Sequence, residues 1–310
     1  MLDWLLDSDP SIRWQVLRDL VDAPADQVRT ERSRVATEGW GARLLALQGE
    51  DGQWAGGTYW AAGDDDPTGQ PWTATTYSLL LLRDLGLDPN SREARHAVRL
   101  VRDNSRWEQG NQPFFDGEVE PCINGMTVAL GAYFGESVEA AVQRLIREQL
   151  PDGGWNCETE RGSVRSSFHT TICVLEGLLE HERATGGTTG SRAARRRGEE
   201  YLLDRGLLRR KSTGAVIDED WLRFSFPTRW FYDVLRGLDY FRAAGDKPDG
   251  RLAEAVGAVR SKRRDDGTWP LENTHPGAVH FALEDGDGQP AAGTRCGPSG
   301  SYGGGKANDP

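Results

Sequence analysis

The chain has 310 residues, enough for one large domain or two modest ones. Its formal net charge is −11, and a phosphate-binding surface needs clustered Lys and Arg, so nucleic acid is excluded as a general partner. Apolar runs fall short of the about 20 residues of a membrane span, and the opening MLDWLLDSDPSIRW carries acids where a signal peptide carries lysines, so a cytoplasmic protein without a transmembrane segment is expected. Four cysteines without a CxxC pair make no disulfide framework at this length, in keeping with a reducing compartment.

In chain order, DPSIRWQVLRDLVD (9–22) has the spacing of a first apolar helix. LLALQGEDGQWAGG (44–57) is an amphipathic segment closed by D-G-x-W. An apolar helix over Pro71–Leu85 and a polar one near 92–104 follow. EPCINGMTVALGAYF (120–134) is apolar throughout, and a less apolar helix near 138–150 leads into LIREQLPDGGWNCE (145–158), the second D-G-x-W. Ser166–His181 is again apolar. RAARRRGEE (192–200), within a polar helix near 193–206, reads as a solvated helix face, and TGGTTG (185–190) as a flexible loop. FPTRWFYDVLRGLDYF (226–241) predicts a further apolar helix, and one near 250–263 runs into the third turn, VRSKRRDDGTWPLE (259–272). In each turn the glycine supplies positive φ, the aspartate suits the turn and the tryptophan packs back over the helix end. Strand signals are sparse. Starts of apolar helices recur every roughly 50–60 residues, which fits all-α hairpins with apolar helices inside and polar helices outside.

D-G-x-W turns that close outer helices resemble those of the protein prenyltransferase β subunits and the squalene and terpenoid cyclases, over most of residues 10–290. The resemblance implies an α/α toroid of about six helical hairpins in a single domain, residues 1–290. It also implies inner helices that point their N-termini into one central apolar cavity.

That architecture calls for a last inner helix after Trp269, and the sequence does not supply one: from Pro290 it turns Gly/Ser-rich. One choice of codons for PAAGTRCGPSGSYGGG, read one base out of register after the proline, spells P-S-R-W-N-T-L-R-A-L-R-V-L-R-W-W. That string is an amphipathic helix opening like PSIRW (10–14) and PTRW (227–230). Residues 291–310 are therefore either a disordered tail or a frameshifted replacement of the last inner helix.

His169, one of five histidines, lies one turn into 166–181, where Ser166 and Ser167 already serve as caps. Cys122 opens the preceding apolar helix, with Glu120 two residues before it. If both helices face one cavity, thiolate, imidazole and carboxylate form an O/S/N set, and three protein ligands with an open fourth position is a catalytic zinc pattern. Helix N-termini favour the thiolate. The family resemblance sharpens this, because its D-x-C and F-H-T segments correspond to Glu120-Pro121-Cys122 and Phe168-His169-Thr170. It implies zinc held by Glu120, Cys122 and His169, with glutamate in place of aspartate. Cys157 is either a fourth ligand or a bystander. Read from the residues alone, Cys122 and His169 can equally just pack and hydrogen-bond.

The approach to this motif, NQPFFDGEVE (111–120), is acidic. Asp116 and Glu118 are the candidate catalytic carboxylates, and with Glu120 they repel a diphosphate unless a divalent metal bridges them. The family's tyrosine is absent, since Ile123 follows Cys122. Farnesyl transfer to a protein cysteine is disfavoured on both counts. The cyclase D-x-D-D has no match: Asp64, Asp65 and Asp66, and Asp218, Glu219 and Asp220, lack its spacing and suit turns and caps. Trp221, Phe224, Phe226, Trp230 and Phe231 either stabilise a cation or pack the core. G-x-S-x-G and P-loop motifs are missing. The expected function is a prenyltransferase- or terpenoid-cyclase-like, zinc-dependent enzyme acting on an isoprenoid or other apolar small molecule. The alternative is a non-catalytic toroid that binds an apolar ligand or a partner protein, and a third reading is a product inactivated by its altered tail. An unfinished ring exposes apolar surface, which favours a homo-oligomer, and the family works with a helical partner subunit.

Overall fold

Helices make up the regular structure of the computed structural model, which describes residues 2–63, 70, 72–245 and 247–283. Among the described residues there is no β-strand, so the chain is all-α, and no helix is long and apolar enough to cross a membrane. Asp64, Asp65, Asp66 and the tail from 291 lie outside the described residues. The chain divides into two compact units, one formed by residues up to Phe114 with the stretch from Pro276, the other by Phe115–His275.

The first unit contains α1 (Leu2–Leu6), α2 (Pro10–Asp19), α3 (Ala25–Ser33), α4 (Gly39–Leu45), α5 (Thr75–Asp84) and α6 (Arg92–Asn104). The Asp9 side chain caps α2 by accepting the Ser11 N–H at 2.8 Å, and its second oxygen accepts the Trp40 N–H of α4, also at 2.8 Å. The sequence pattern did not predict α3, because ADQVRTERS buries no residue and has no apolar stripe to read. The stretch from Pro276 returns to the start of α5: Trp72 donates its backbone N–H to Ala278 O and its Nε1–H to Pro276 O, at 2.8 and 2.9 Å.

The second unit contains α7 (Pro121–Phe134), α8 (Glu139–Arg147), α9 (Phe168–Thr185), α10 (Thr189–Leu203), α11 (Val234–Ala244) and α12 (Ala253–Ser261). Helix α7 packs along α9, and α9 along α11; α8, α10 and α12 lie against α7, α9 and α11 in turn. Composition explains the order. Nearly every residue of α7 is buried, whereas α8 buries only Ala141, Val142 and Leu145 and leaves its charges outside. Gly125 and Gly177 face each other between α7 and α9. A Cβ on Gly125 would overlap the Cys173 and Val174 backbone, and one on Gly177 the Gly125 carbonyl. The two backbones therefore touch.

The three tryptophan turns share one geometry. Gly52, Gly153 and Gly267 have φ of 81°, 102° and 86°, which favours glycine. Trp54, Trp155 and Trp269 each donate Nε1–H to the carbonyl ten residues earlier, at Leu44, Leu145 and Val259, with distances of 2.7, 2.7 and 2.8 Å. In the first two turns a glutamine completes the unit. Gln48 Nε2 bonds Gly52 O and Ala97 O, and Gln149 Nε2 bonds Gly153 O and Ala194 O, so each turn is fastened to the following polar helix. Arg263 replaces the glutamine in the third turn and stacks over Trp269, which stays 43% exposed, whereas Trp54 and Trp155 are fully buried. Residues 270–283 contain no helix.

Two sequence expectations need correction. The helix expected over 226–241 begins only at Val234, because buried Asp233 caps it by accepting the Arg236 N–H at 2.8 Å. Burial raises the Asp233 carboxyl to about 6. The Arg192–Glu200 stretch is also not wholly solvated. Arg195 is buried against Glu182 (2.9 Å) and Glu199, and the Tyr240 hydroxyl donates to Glu199 at 2.7 Å. An arginine inside needs such partners, and here they come from its own helix, from α9 and from α11.

Replacing Gly177 by alanine should lower the unfolding free energy by about 1–3 kcal/mol in urea titration. The control Gly257→Ala, whose new Cβ meets nothing within 4 Å, should raise it by about 0.5–1 kcal/mol. Equal effects would contradict the close helix contact.

Candidate metal centre

The segment before α7 is held by bonds to its backbone. Glu118 N–H donates to Asn124 Oδ1 and Asn124 Nδ2 returns a bond to Glu118 O, both at 2.7 Å. Arg144 of α8 donates to the carbonyls of Glu118 (2.8 Å) and Val119 (3.0 Å) and pairs through Nε with Glu148. Glu118, 5% exposed, accepts the Glu120 N–H at 2.7 Å on Oε2. Burial outweighs that bond and holds its carboxyl above the ordinary value. Asp116 is exposed. Of the two candidate catalytic acids, Glu118 thus caps the entrance to α7 and Asp116 stands in solvent.

Glu120 is the N-cap residue of α7, but its side chain makes no capping bond; it turns instead to Cys122, whose Sγ donates to Glu120 Oε2 at 3.6 Å. Cys157 comes from the short 3-10 turn Cys157–Arg161 that follows the buried Trp155. Two anchors hold that turn in place. Asp152 of the tryptophan turn accepts both the backbone N–H (3.0 Å) and the hydroxyl of Ser166, and Thr171 Oγ1 accepts the Trp155 N–H at 3.1 Å. The Asn156 side chain adds bonds to Glu158 N and Arg165 O, at 2.9 and 2.8 Å. Cys157 Sγ lies 2.9 Å from Cys122 Sγ and 3.5 Å from Thr170 Oγ1 in the first turn of α9. The amino ends of α7 and α9 therefore meet across these two sulfurs.

The ligand atoms of Glu120, Cys122 and Cys157 lie within 4.8 Å of one another, a group able to hold a metal ion. The donor set fits one. Cys122 is 8% exposed, and its contact with Cys157, followed by burial, pushes its thiol well above the ordinary value. Without a cation the Cys122 thiol stays protonated; a divalent ion would bind both sulfurs as thiolates. The site joins two soft sulfur donors to one carboxylate, a combination that zinc accepts.

His169 is not part of this group. Its Nδ1 accepts the Tyr232 N–H at 2.8 Å, and its ring is bracketed by Trp221, Trp230 and Phe231 with centroids 5.7, 5.6 and 5.9 Å away. Burial, and then the Arg236 charge, lower the imidazole to about 4. A neutral ring whose Nδ1 faces an N–H donor carries its proton on Nε2, so His169 presents an N–H where a ligand needs a lone pair. Trp230 and Phe231 stack at 3.9 Å, and Phe231 and His275 at 4.0 Å, forming a half-exposed aromatic wall beside it. Asp218, Glu219 and Asp220 form a turn in which Asp218 accepts the Asp220 N–H at 2.9 Å, a cap as their loop position suggested.

The sequence singled out Glu120 and Cys122 and left Cys157 open between ligand and bystander; the structure brings the Cys157 sulfur together with Glu120 and Cys122 in the group that could hold a metal ion. Arg144 carries no sequence signal of its role, whereas Asn124, an asparagine inside the apolar run CINGMTVAL, is a visible sign of a buried side chain that needs partners. No family model matches the chain, and no curated protein matches it.

Because the folded His169 binds its proton at lower pH than an unfolded histidine, the unfolded chain takes up protons first, and stability falls as pH drops from 6.5 to about 4. His275, also lowered to about 4, shares that window. The variant H169Q should therefore flatten the dependence only in part, measured as unfolding free energy against pH. Identical slopes for the two proteins would show that His169 titrates normally.

Proposed function

We propose that this chain is a zinc-dependent enzyme of the prenyltransferase and terpenoid-cyclase kind, with its hairpins arranged as an α/α toroid, acting on an apolar molecule. The observation that carries this reading is the Glu120–Cys122–Cys157 group at the joined amino ends of two apolar helices. The alternation of apolar and amphipathic helices in the second unit supports the toroid, and so does the return of the stretch from Pro276 to Trp72.

In this reading Glu120, Cys122 and Cys157 hold the metal and leave a further position for substrate. Zinc bound there would act as a Lewis acid or generate a nucleophile at neutral pH. Asn124, Arg144 and Glu118 fix the Glu120 backbone, which keeps the carboxylate in register with the sulfurs. Trp230, Phe231 and His275 offer flat aromatic faces to an apolar substrate, and the His169 Nε2–H can donate to a substrate oxygen. Arg144 commits its guanidinium to loop carbonyls and Glu148, and Glu118 and Glu120 add negative charge. A diphosphate finds no welcome here, so the reading favours an apolar substrate with a neutral oxygen function over a prenyl diphosphate.

Protein expressed in zinc-rich medium should contain one zinc per chain by elemental analysis. Cys157→Ala should weaken zinc binding by roughly 100-fold or more, while His169→Ala should retain it. Zinc near zero in the unmutated protein would overturn the metal reading; zinc bound without turnover of any isoprenoid alcohol or olefin would move the chain to a binding role.

A further inference from the structure

Cys122 and Cys157 are 35 positions apart in the chain, yet their sulfurs stand 2.9 Å from each other. A disulfide is about 2.05 Å long. Two sulfurs on one tetrahedral zinc, each at about 2.3 Å from the metal, stand about 3.8 Å apart. The observed spacing is midway between these two bonded states, and movement of under about 1 Å reaches either. Cys173, by contrast, points its sulfur at Trp230 O (3.5 Å) and Arg236 Nη2 (3.6 Å).

Access is asymmetric. Cys157 is half-buried on its turn, within reach of a small oxidant, whereas Cys122 is shut inside the first turn of α7. Cys122 is thus the partner that waits, with the Glu120 carboxylate beside its S–H. We propose that Cys122 and Cys157 form a reversible disulfide under hydroperoxides, and that this bond and a bound metal exclude one another. The second half rests on the metal reading above; the first half does not.

The chemistry balances in two steps. The Cys157 sulfur attacks the O–O bond of the hydroperoxide and becomes a sulfenic acid, releasing an alcohol, or water from hydrogen peroxide. The Cys122 sulfur then forms the S–S bond at Cys157, displacing its hydroxyl, which leaves as water with the Cys122 proton. Two thiols lose two electrons and two protons, and one hydroperoxide is reduced. A dithiol reverses the bond by exchange.

The test uses the full chain, reduced and stripped of metal, treated with one equivalent of hydrogen peroxide and mapped by mass spectrometry without reduction. The expected result is a peptide joining Cys122 to Cys157, an intact mass lower by two hydrogen atoms, and recovery with dithiothreitol. Cys157→Ser, at the more accessible position, should abolish the link. Oxidation that stops at Cys157 oxyacids, or that joins either residue to Cys296, overturns the proposal. In a second arm, zinc is titrated into reduced and oxidised chains, and affinity should fall at least about tenfold on oxidation. If the reduced chain binds no zinc while the link still forms, the metal reading fails and the disulfide stands. Equal zinc affinity in both forms overturns the exclusion.

Discussion

The contact between α7 and α9 is the constraint on which the candidate centre depends. Gly125 and Gly177 let two apolar helices run backbone against backbone. Helices normally stand about 8–10 Å apart, with side chains between them; here the side chains are missing at the crossing. Cys122 of one helix then meets the turn that leads into the other, and Thr170 touches the same sulfur that Cys122 does.

The groups at this junction are unusual beside an apolar core: Cys122 is buried, Cys157 half-buried and Glu120 exposed. Two thiols and a carboxylate share a few ångströms, and the backbone bonds of Glu118, Asn124 and Arg144 fix the loop that carries the carboxylate. The close sulfur pair beside a carboxylate is an arrangement that a cation could bridge or that a covalent bond between the sulfurs could close. Metal binding and disulfide formation would thus both draw on the same close sulfur pair. The aromatic wall around His169 is a separate feature of the same unit. Its imidazole is held neutral and its Nδ1 is occupied by the Tyr232 amide, which leaves it an N–H donor and ill suited to metal ligation.

Much of the helical pattern was legible from residue spacing. Helix α6 occupies the expected 92–104 and α7 sits inside its predicted 120–134, because apolar runs bounded by caps and glycines leave few alternatives; α9 starts inside the predicted 166–181 but runs on to Thr185, where Gly186 ends it. The tryptophan turns are visible as D-G-x-W, but the pattern does not mark the glutamine six residues before Trp54 and Trp155 as part of the unit, since its bonds reach a helix far along the chain. The late start of α11 hid behind the aromatic residues of 226–233, which look helical by composition but are cut off by the Asp233 cap. At the site, sequence could bring Glu120 and Cys122 together because they are two residues apart. It could not tell which way His169 turns, because that depends on the Tyr232 amide, a contact made 63 positions away. Nor could it bring Cys157 to Cys122, because the Asp152–Ser166 clasp that delivers it is a tertiary bond.

The most direct test is X-ray absorption at the zinc edge on the purified, zinc-loaded chain, which counts the sulfurs around the metal. Joined amino ends of α7 and α9 predict two sulfur neighbours at about 2.3 Å with lighter oxygen donors completing the shell. A shell without sulfur, or one sulfur accompanied by the scattering signature of an imidazole ring, would show that Cys157 does not share the metal with Cys122 and would contradict this account.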